Sequence, residues 1–376
     1  MDEQPEYEEF SEEAGQTLRR GWTTGACAAA AAKSAYYGWV TGAFLDPVSI
    51  TLPGGQCPAF ALATSEPLCD GACAGIIKDA GDDPDVTHGL MVCATIGPAQ
   101  AGQGILFRAG AGVGTITRPG LALPVGEPAI NPVPREMIRQ ALMEAAAATG
   151  GPRDATVTIS IPGGETVALQ TLNPRLGVIG GLSVLGTTGI VIPYSCSAWI
   201  HSIHRGIDIA RAAGLTHIAG STGSTSEAAV RQLHGLSEQA LIEMGDFAGG
   251  MLKYLRQHPI EKITIAGGFA KMVKLGQGMI DLHSRAGPVD LAWLAERVRD
   301  IGGDEAFQHR VRGANTANEV LDAAQKRNLP LAEAVAEHAW HTAAQTLAAD
   351  AQLEVVVFDR AGALAGRSVF RKASSR

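Results

Sequence analysis

The pattern of apolar and polar positions changes character once along the chain, near residue 195. Before that point, short alternating stretches and glycine turns dominate. Val48-Ser49-Ile50-Thr51-Leu52 alternates, Pro53-Gly54-Gly55 turns the chain, and a second apolar stretch follows. Thr156 to Ile161 alternates in the same way, with Pro162-Gly163-Gly164 next and Thr166-Val167-Ala168-Leu169 as the returning strand. Two Pro-Gly-Gly hairpins predict an antiparallel or mixed sheet. Between them, Asn131-Pro132-Val133-Pro134 leads into a helix over roughly Arg135 to Ala148. Further upstream, Gly21-Trp22-Thr23-Thr24-Gly25 precedes a run from Ala26 to Ala32 with Cys27 inside it. Threonine suits an N-cap and alanine is the best helix former, so a loop feeds a tightly packed helix there. Residues 19–190 therefore read as an α+β domain.

After the change, helical periods alternate with short strands. A helix runs through Ile200 to Ala213 and stops at Gly214. The strand His217-Ile218-Ala219, the loop Gly220 to Thr225 and a helix from Ser226 follow. A strand over Ala240–Met244, a helix from near Asp246 and a strand over Lys262–Ala266 come next. Helices fill most of 289–350, and Glu354–Phe358 is a last strand. This alternation predicts an α/β domain with a mainly parallel sheet over 191–376. Between the two domains, Leu176 to Ile200 holds no Lys, Arg, Asp or Glu, long enough to cross a bilayer. Six breakers, among them Gly177, Gly186 and Pro193, make it a poor helix, so it reads as buried strands and turns.

Charge sharpens this picture. The net charge of −8 is concentrated at the N-terminus, where residues 1–18 carry seven acidic side chains and no Lys or Arg. Without them, 31 acidic residues face 30 basic ones. Residues 1–18 read as a disordered acidic tail, and the nearly neutral body excludes general nucleic-acid binding. No basic, apolar leader opens the chain. The six cysteines include no CxxC pair and read as reduced cytosolic thiols, without a zinc site. The expectation is a cytoplasmic protein.

Candidate chemistry clusters in the second domain. Gly220-Ser221-Thr222-Gly223-Ser224-Thr225 lies between a strand and a helix, where main-chain N–H groups are free to meet a ligand. Glu243 lies 23 residues after Gly220, at the end of the next strand. That is where nucleotide-binding α/β folds place a carboxylate for ribose hydroxyls. With Gly267-Gly268 ending the third strand, and Asp246 beside it, three strand ends converge on one edge. No lysine follows the loop, which favours a phosphate-free adenosyl ligand over ATP. Lys271 and Lys274 share a helix face suited to carboxylates, and His283 is the candidate for proton transfer. In the first domain, Gly110-Ala111-Gly112-Val113-Gly114-Thr115 reads as a glycine-rich wall, with Arg118 beside it as an anion contact. The rival reading of that loop, a small-molecule kinase, lacks its lysine. His201, His204 and Asp208 have helical spacing, and Asp82, Asp83 and Asp85 cluster. Both sets read as structural, and no protein-held metal is expected.

Several of these segments together resemble the CbiD family, the cobalt-precorrin-5B C1-methyltransferases. The segments are Gly21–Lys33, Lys78–Gly89, Gly110–Leu121, Asn131–Arg135, Gly180–Val191, Glu243–Phe247 and Ala266–Leu275. The resemblance implies an enzyme of corrin synthesis that takes its methyl group from S-adenosylmethionine. It implies two domains, the second holding the adenosyl group, with cobalt arriving only as part of a tetrapyrrole substrate. It supplies no assigned catalytic residue. Thr23, Thr24, Gly25, Arg108, Arg118, Arg135, Lys271 and Lys274 are our candidates for the macrocycle and its carboxylate arms. One stretch departs from the family pattern, Ile192-Pro193-Tyr194-Ser195-Cys196-Ser197-Ala198-Trp199. It leaves a cobalt-free precorrin open as the substrate. A corrinoid carrier without catalysis, and a homo-oligomer, are also left open.

Overall fold

The computed structural model describes residues 18–373. Apart from Leu18, the acidic segment read as a tail lies outside them. The chain divides into two compact units, one ending at Ser197 and the other beginning at Ala198. The sequence reading put the domain boundary between 190 and 191. Residues up to 191 are held in the first unit because Ile190–Val191 pairs antiparallel with Gly21–Trp22.

In the first unit, Thr23 caps the helix Thr24–Thr41, its Oγ1 accepting from the Ala26 N–H at 3.2 Å. Seven alanines of this helix are completely buried. It packs against the helix Pro132–Thr149 and against a five-stranded sheet. The sheet order is Thr64–Leu68, Gly71–Ile77, Met91–Pro98, Ala155–Ser160 and Ile105–Ala109, antiparallel except for the last pair. Val48–Ser49 pairs antiparallel with Ala59–Phe60 around the first Pro-Gly-Gly turn. The second Pro-Gly-Gly segment corrects the sequence reading. No strand returns after it, because Gly164–Ala168 coils into a short helix. Here the Gly164 N–H bonds back to the Ile161 carbonyl, and a Cβ at Gly164 would stand 2.4 Å from the Gly112 oxygen. The turn is folded against the 110–114 loop and cannot open into a hairpin.

The second unit is an α/β layer structure. Its sheet runs Leu241–Glu243, His217–Ser221, Lys262–Gly268, Gln352–Phe358 and Leu364–Arg367, with Arg371–Lys372 also on the fourth strand. The first four strands are parallel and the closing pieces antiparallel. Valine and isoleucine fill these strands, as two-sided burial requires. One face carries the large core built by the helices Ser197–Ala212, Ala248–Gln257, Phe269–Gly276 and Leu331–Leu347. Val230 of the helix Ser224–His234 packs with Ala219, Ala266 and Val356 in a smaller core.

Among the described residues, no helix is long and apolar enough to cross a membrane. The uncharged stretch 176–200 becomes two short strands, turns and the start of a helix.

Candidate active site

Chain order and sheet order define a crevice in the second unit. The strand His217–Ser221 is central. The chain's next strand joins it on one side and the one after that joins on the other. Helix connections therefore diverge at the carboxyl ends of His217–Ser221 and Lys262–Gly268, the switch point where open α/β sheets receive ligands. Register places Ser221 beside Glu243 on one side and beside Ala266 on the other. The turn after Glu243 is tied down, since the N–H groups of Met244 and Gly245 both donate to the Ser221 carbonyl at 3.0 Å.

The predicted loop is shorter than its sequence suggests. Gly220 and Ser221 belong to the strand, Ser224 and Thr225 to the helix, and only Thr222-Gly223 connects them. Its glycines also divide in role. A Cβ at Gly220 would strike Met251 Sδ at 2.3 Å, so Gly220 serves core packing. Gly267 likewise admits Met272 and Thr222. At Gly223 and Gly268 a Cβ would meet nothing within 4 Å, so these two face open space. At the end of the same strand the Ser221 hydroxyl is completely buried and, among the described residues, has no hydrogen-bond partner, unusual for a polar group out of water. An orphaned donor, two open glycines and a helix N-terminus fit an uncharged, hydroxyl-rich ligand such as a nucleoside.

Other predicted residues in this unit are engaged within the chain. Asp246 pairs with Lys271 at 2.6 Å, and the same ammonium donates to the Leu282 carbonyl. Lys274 is buried, and its ammonium donates to the carbonyls of Leu282 and His283. It is a tie for the 282–283 segment and not a carboxylate clamp. His283 caps a short turn, its Nδ1 accepting from the Arg285 N–H at 3.2 Å. A neutral imidazole accepting at Nδ1 carries its proton at Nε2. In this arrangement Nδ1 is engaged as a cap, and His283 stays a candidate for proton transfer only through its other ring nitrogen.

In the first unit, Thr23 and Thr24 are buried, and a Cβ at Gly25 would stand 2.8 Å from Pro134. Gly25 lets the alanine helix close onto its partner helix, and Thr23 packs beside Gly186 and donates its N–H to the Gly189 carbonyl. Arg135 is also committed: it donates to the Ile130 and Pro128 carbonyls, pairs with Glu127 at 2.8 Å and covers the Phe107 ring. Arg118 donates to the Arg175 carbonyl and lies across Gly177. Arg108 is exposed on its edge strand. The 110–114 loop is not a bare wall either. A Cβ at Gly112 would stand 1.8 Å from the Ile161 oxygen, and one at Gly114 would meet Val178 and Gly181. Backbone meets backbone there.

The two clusters read as structural make these contacts. Asp85 accepts from Lys78 and from Thr87, Asp82 from the Arg19 N–H, and Asp83 from the Tyr194 N–H. His204 stacks on Tyr254 at 3.9 Å, and the Tyr254 hydroxyl donates to Asp208. Among the described residues, no group of three or more His, Cys, Asp or Glu side chains converges to hold a metal ion.

Two arrangements escaped the sequence. The Trp199 Nε1–H donates to the Glu243 carbonyl at 3.1 Å. His234 lies 2.7 Å from the buried Glu354, and Thr264 links that carboxylate to His217. Sequence separations of 44 to 120 residues give no local signal for either.

A mainly parallel sheet with helices on its faces and a switch point at its carboxyl edge defines an α/β protein with the layout of a ligand-binding crevice. The chain belongs to the CbiD family: the model described as CbiD matches residues 11–193, and that described as CbiD, C-terminal domain, matches 281–369. It is 61% identical to the cobalt-precorrin-5B C(1)-methyltransferase of Bradyrhizobium sp. (strain BTAi1), over 96% of each chain. It is 58% identical to the protein of that name from Paramagnetospirillum magneticum, over 93% of this chain and 98% of that one. A crystal structure of a cobalamin biosynthesis protein (cbiD) from Archaeoglobus fulgidus matches at 27% identity, with a TM-score of 0.40, covering 75% of this chain and 84% of that one.

Proposed function

We propose that this protein methylates C1 of cobalt-precorrin-5B, giving cobalt-precorrin-6A, with S-adenosylmethionine as the donor. The observation that carries the reading is 61% identity to a curated relative of that activity over 96% of both chains. The switch-point crevice supports the donor's place. Ser221, Thr222, Gly223, the first turn of the helix Ser224–His234, Glu243 and Gly268 would hold the adenosyl group. The orphaned Ser221 hydroxyl and the open glycines fit it.

When bound, S-adenosylmethionine supplies a methyl group on a sulfonium, already electrophilic enough to alkylate an enamine-like ring carbon. The chain's own residues therefore bind, orient and exclude water. Glu243 would accept from the ribose hydroxyls, and the positive end of the helix Ser224–His234 would face the methionyl carboxylate. Arg108, exposed on its edge strand, is the first candidate for the acetate and propionate arms of the macrocycle, because Arg118, Arg135 and Lys274 each donate to backbone carbonyls of the fold. No side chain is assigned as the base that removes a proton afterwards.

The test is incubation with methyl-labelled S-adenosylmethionine and either cobalt-precorrin-5B or its cobalt-free counterpart, followed by mass and NMR analysis. Label at C1 of the cobalt-loaded substrate is expected. No label at C1 with either substrate overturns the reading.

A further inference from the structure

The stretch 192–199 ends at Trp199, within the second unit. Trp199 stands at the start of the helix Ser197–Ala212. It is 43% exposed, and the other four tryptophans are less so. Exposure of an indole is costly, and here the ring is not loose. Its Nε1–H is held by the Glu243 carbonyl at 3.1 Å. Its ring also rests on the turn after Glu243, where Gly245 has φ +57° and a Cβ would meet Nε1, Cε2 and Cζ2 at 3.2–3.3 Å. Glycine is needed there twice, for the left-handed backbone and for the indole's approach.

We infer that Trp199 is an aromatic platform for the flat heterocyclic base of the nucleoside bound at the switch-point crevice. The inference rests on the crevice holding the adenosyl group, as proposed above. A carboxylate that grips ribose hydroxyls fixes where the attached base projects, within about one ring's width of the ribose. The indole is anchored to the backbone of that same carboxylate residue, so it is rigid, partly bare and adjacent. Every base has a π-face, so stacking supplies affinity with little demand on hydrogen-bond pattern. The nearby orphan, Ser221, would serve the polar part of the nucleoside, and Trp199 its apolar face.

The experiment uses the full-length protein and three probes: S-adenosylhomocysteine, adenosine, and S-methylmethionine, which has the sulfonium amino acid but no base. Trp199→Leu should weaken S-adenosylhomocysteine and adenosine by the same factor, about 10-fold or more, and leave S-methylmethionine unchanged. Trp199→Phe keeps a ring and loses the donor, so it should retain most affinity while abolishing the tryptophan fluorescence quenching that adenosine produces in the parent. Matching circular dichroism and Tm for Trp199→Phe secure the comparison. Parent-like adenosine affinity in Trp199→Leu, or persistent quenching in Trp199→Phe, overturns the platform while the cofactor reading stands. If the parent binds neither S-adenosylhomocysteine nor adenosine, the cofactor reading itself fails and the platform with it.

Discussion

The ammonium of Lys274 lies 3.0 Å from the carbonyl oxygen of His283, and this contact reassigns a cation that the sequence offered to the substrate. A buried lysine donating to two carbonyls holds a loop in place. Lys274→Met keeps the stem and leaves the carbonyls of Leu282 and His283 without that donor. It should cost about 2 kcal/mol of stability, the range for buried polar groups left unmade. Lys271→Met, at a partly exposed pair with Asp246, should cost less than about 1 kcal/mol. Urea melts of both variants check the ranking. Equal losses would remove the distinction between tie and surface pair.

Ser221→Ala separates stability from binding. The parent hydroxyl is buried without a partner, so removing it should leave the free protein as stable or slightly more stable. The same change should weaken S-adenosylhomocysteine several-fold, because the ligand loses the group it satisfies. Calorimetric titration together with thermal melts reads both. Unchanged affinity would place the hydroxyl outside the site.

Glu243→Ala should weaken S-adenosylhomocysteine by about 10-fold or more, as expected for losing a charged acceptor from hydroxyls. Parent-like binding in that variant removes Glu243 from the site.

Stability should fall in acid through His217. Its imidazole is pushed down to about 4, first by burial, then by the neighbouring His234 and Lys262. An unfolded histidine titrates near 6.5. Between these values the unfolded chain binds the proton and the native one does not, so native stability is full above about 6.5 and declines toward 4. His201, His204 and His338, also lowered by burial, act in the same direction. Thermal melts from pH 7.5 to 4.5 should show a shallower decline in His217→Asn. An identical slope in the variant contradicts this account.

Two glycines with positive φ should respond very differently to alanine. Gly180 has φ +88° and open space around it, so Gly180→Ala should cost only the left-handed strain, about 1 to 2 kcal/mol. Gly112 has φ +75° and would also drive a Cβ into the Ile161 carbonyl, so Gly112→Ala should exceed about 4 kcal/mol or abolish soluble expression. Expression and chemical melts decide it.

Legibility followed the range of the forces involved. The Thr23 cap, the alanine helix and the alternation of strand and helix after 200 are local signals, and they appear nearly where the pattern puts them. The second hairpin failed because a long-range approach, Gly164 against Gly112, decides the fate of the chain after Pro162. The site divides in the same way. Strand ends such as Ser221, Glu243 and Gly268 follow from periodicity and connection order. Cations do not, because the partners that engaged Lys274, and most of those that engaged Arg135, are backbone carbonyls, which every residue carries and no sequence marks. Trp199 was unreadable as a neighbour of Glu243, since 44 residues, with a strand and a helix among them, separate the two.

The alanine helix Thr24–Thr41 gives this protein an inverted mutational profile. Ordinary cores suffer when a large side chain is trimmed. Here Ala28 to Ala32 are already minimal and wholly enclosed, and the partner helix and sheet approach to the distance that a methyl group allows. Growth is therefore the damaging direction. Variants surviving at these positions in a saturation library should be glycine, serine and cysteine, and the excluded ones valine, leucine and larger. Such a map would trace the helix as a band of forbidden volume and not as a band of hydrophobic need.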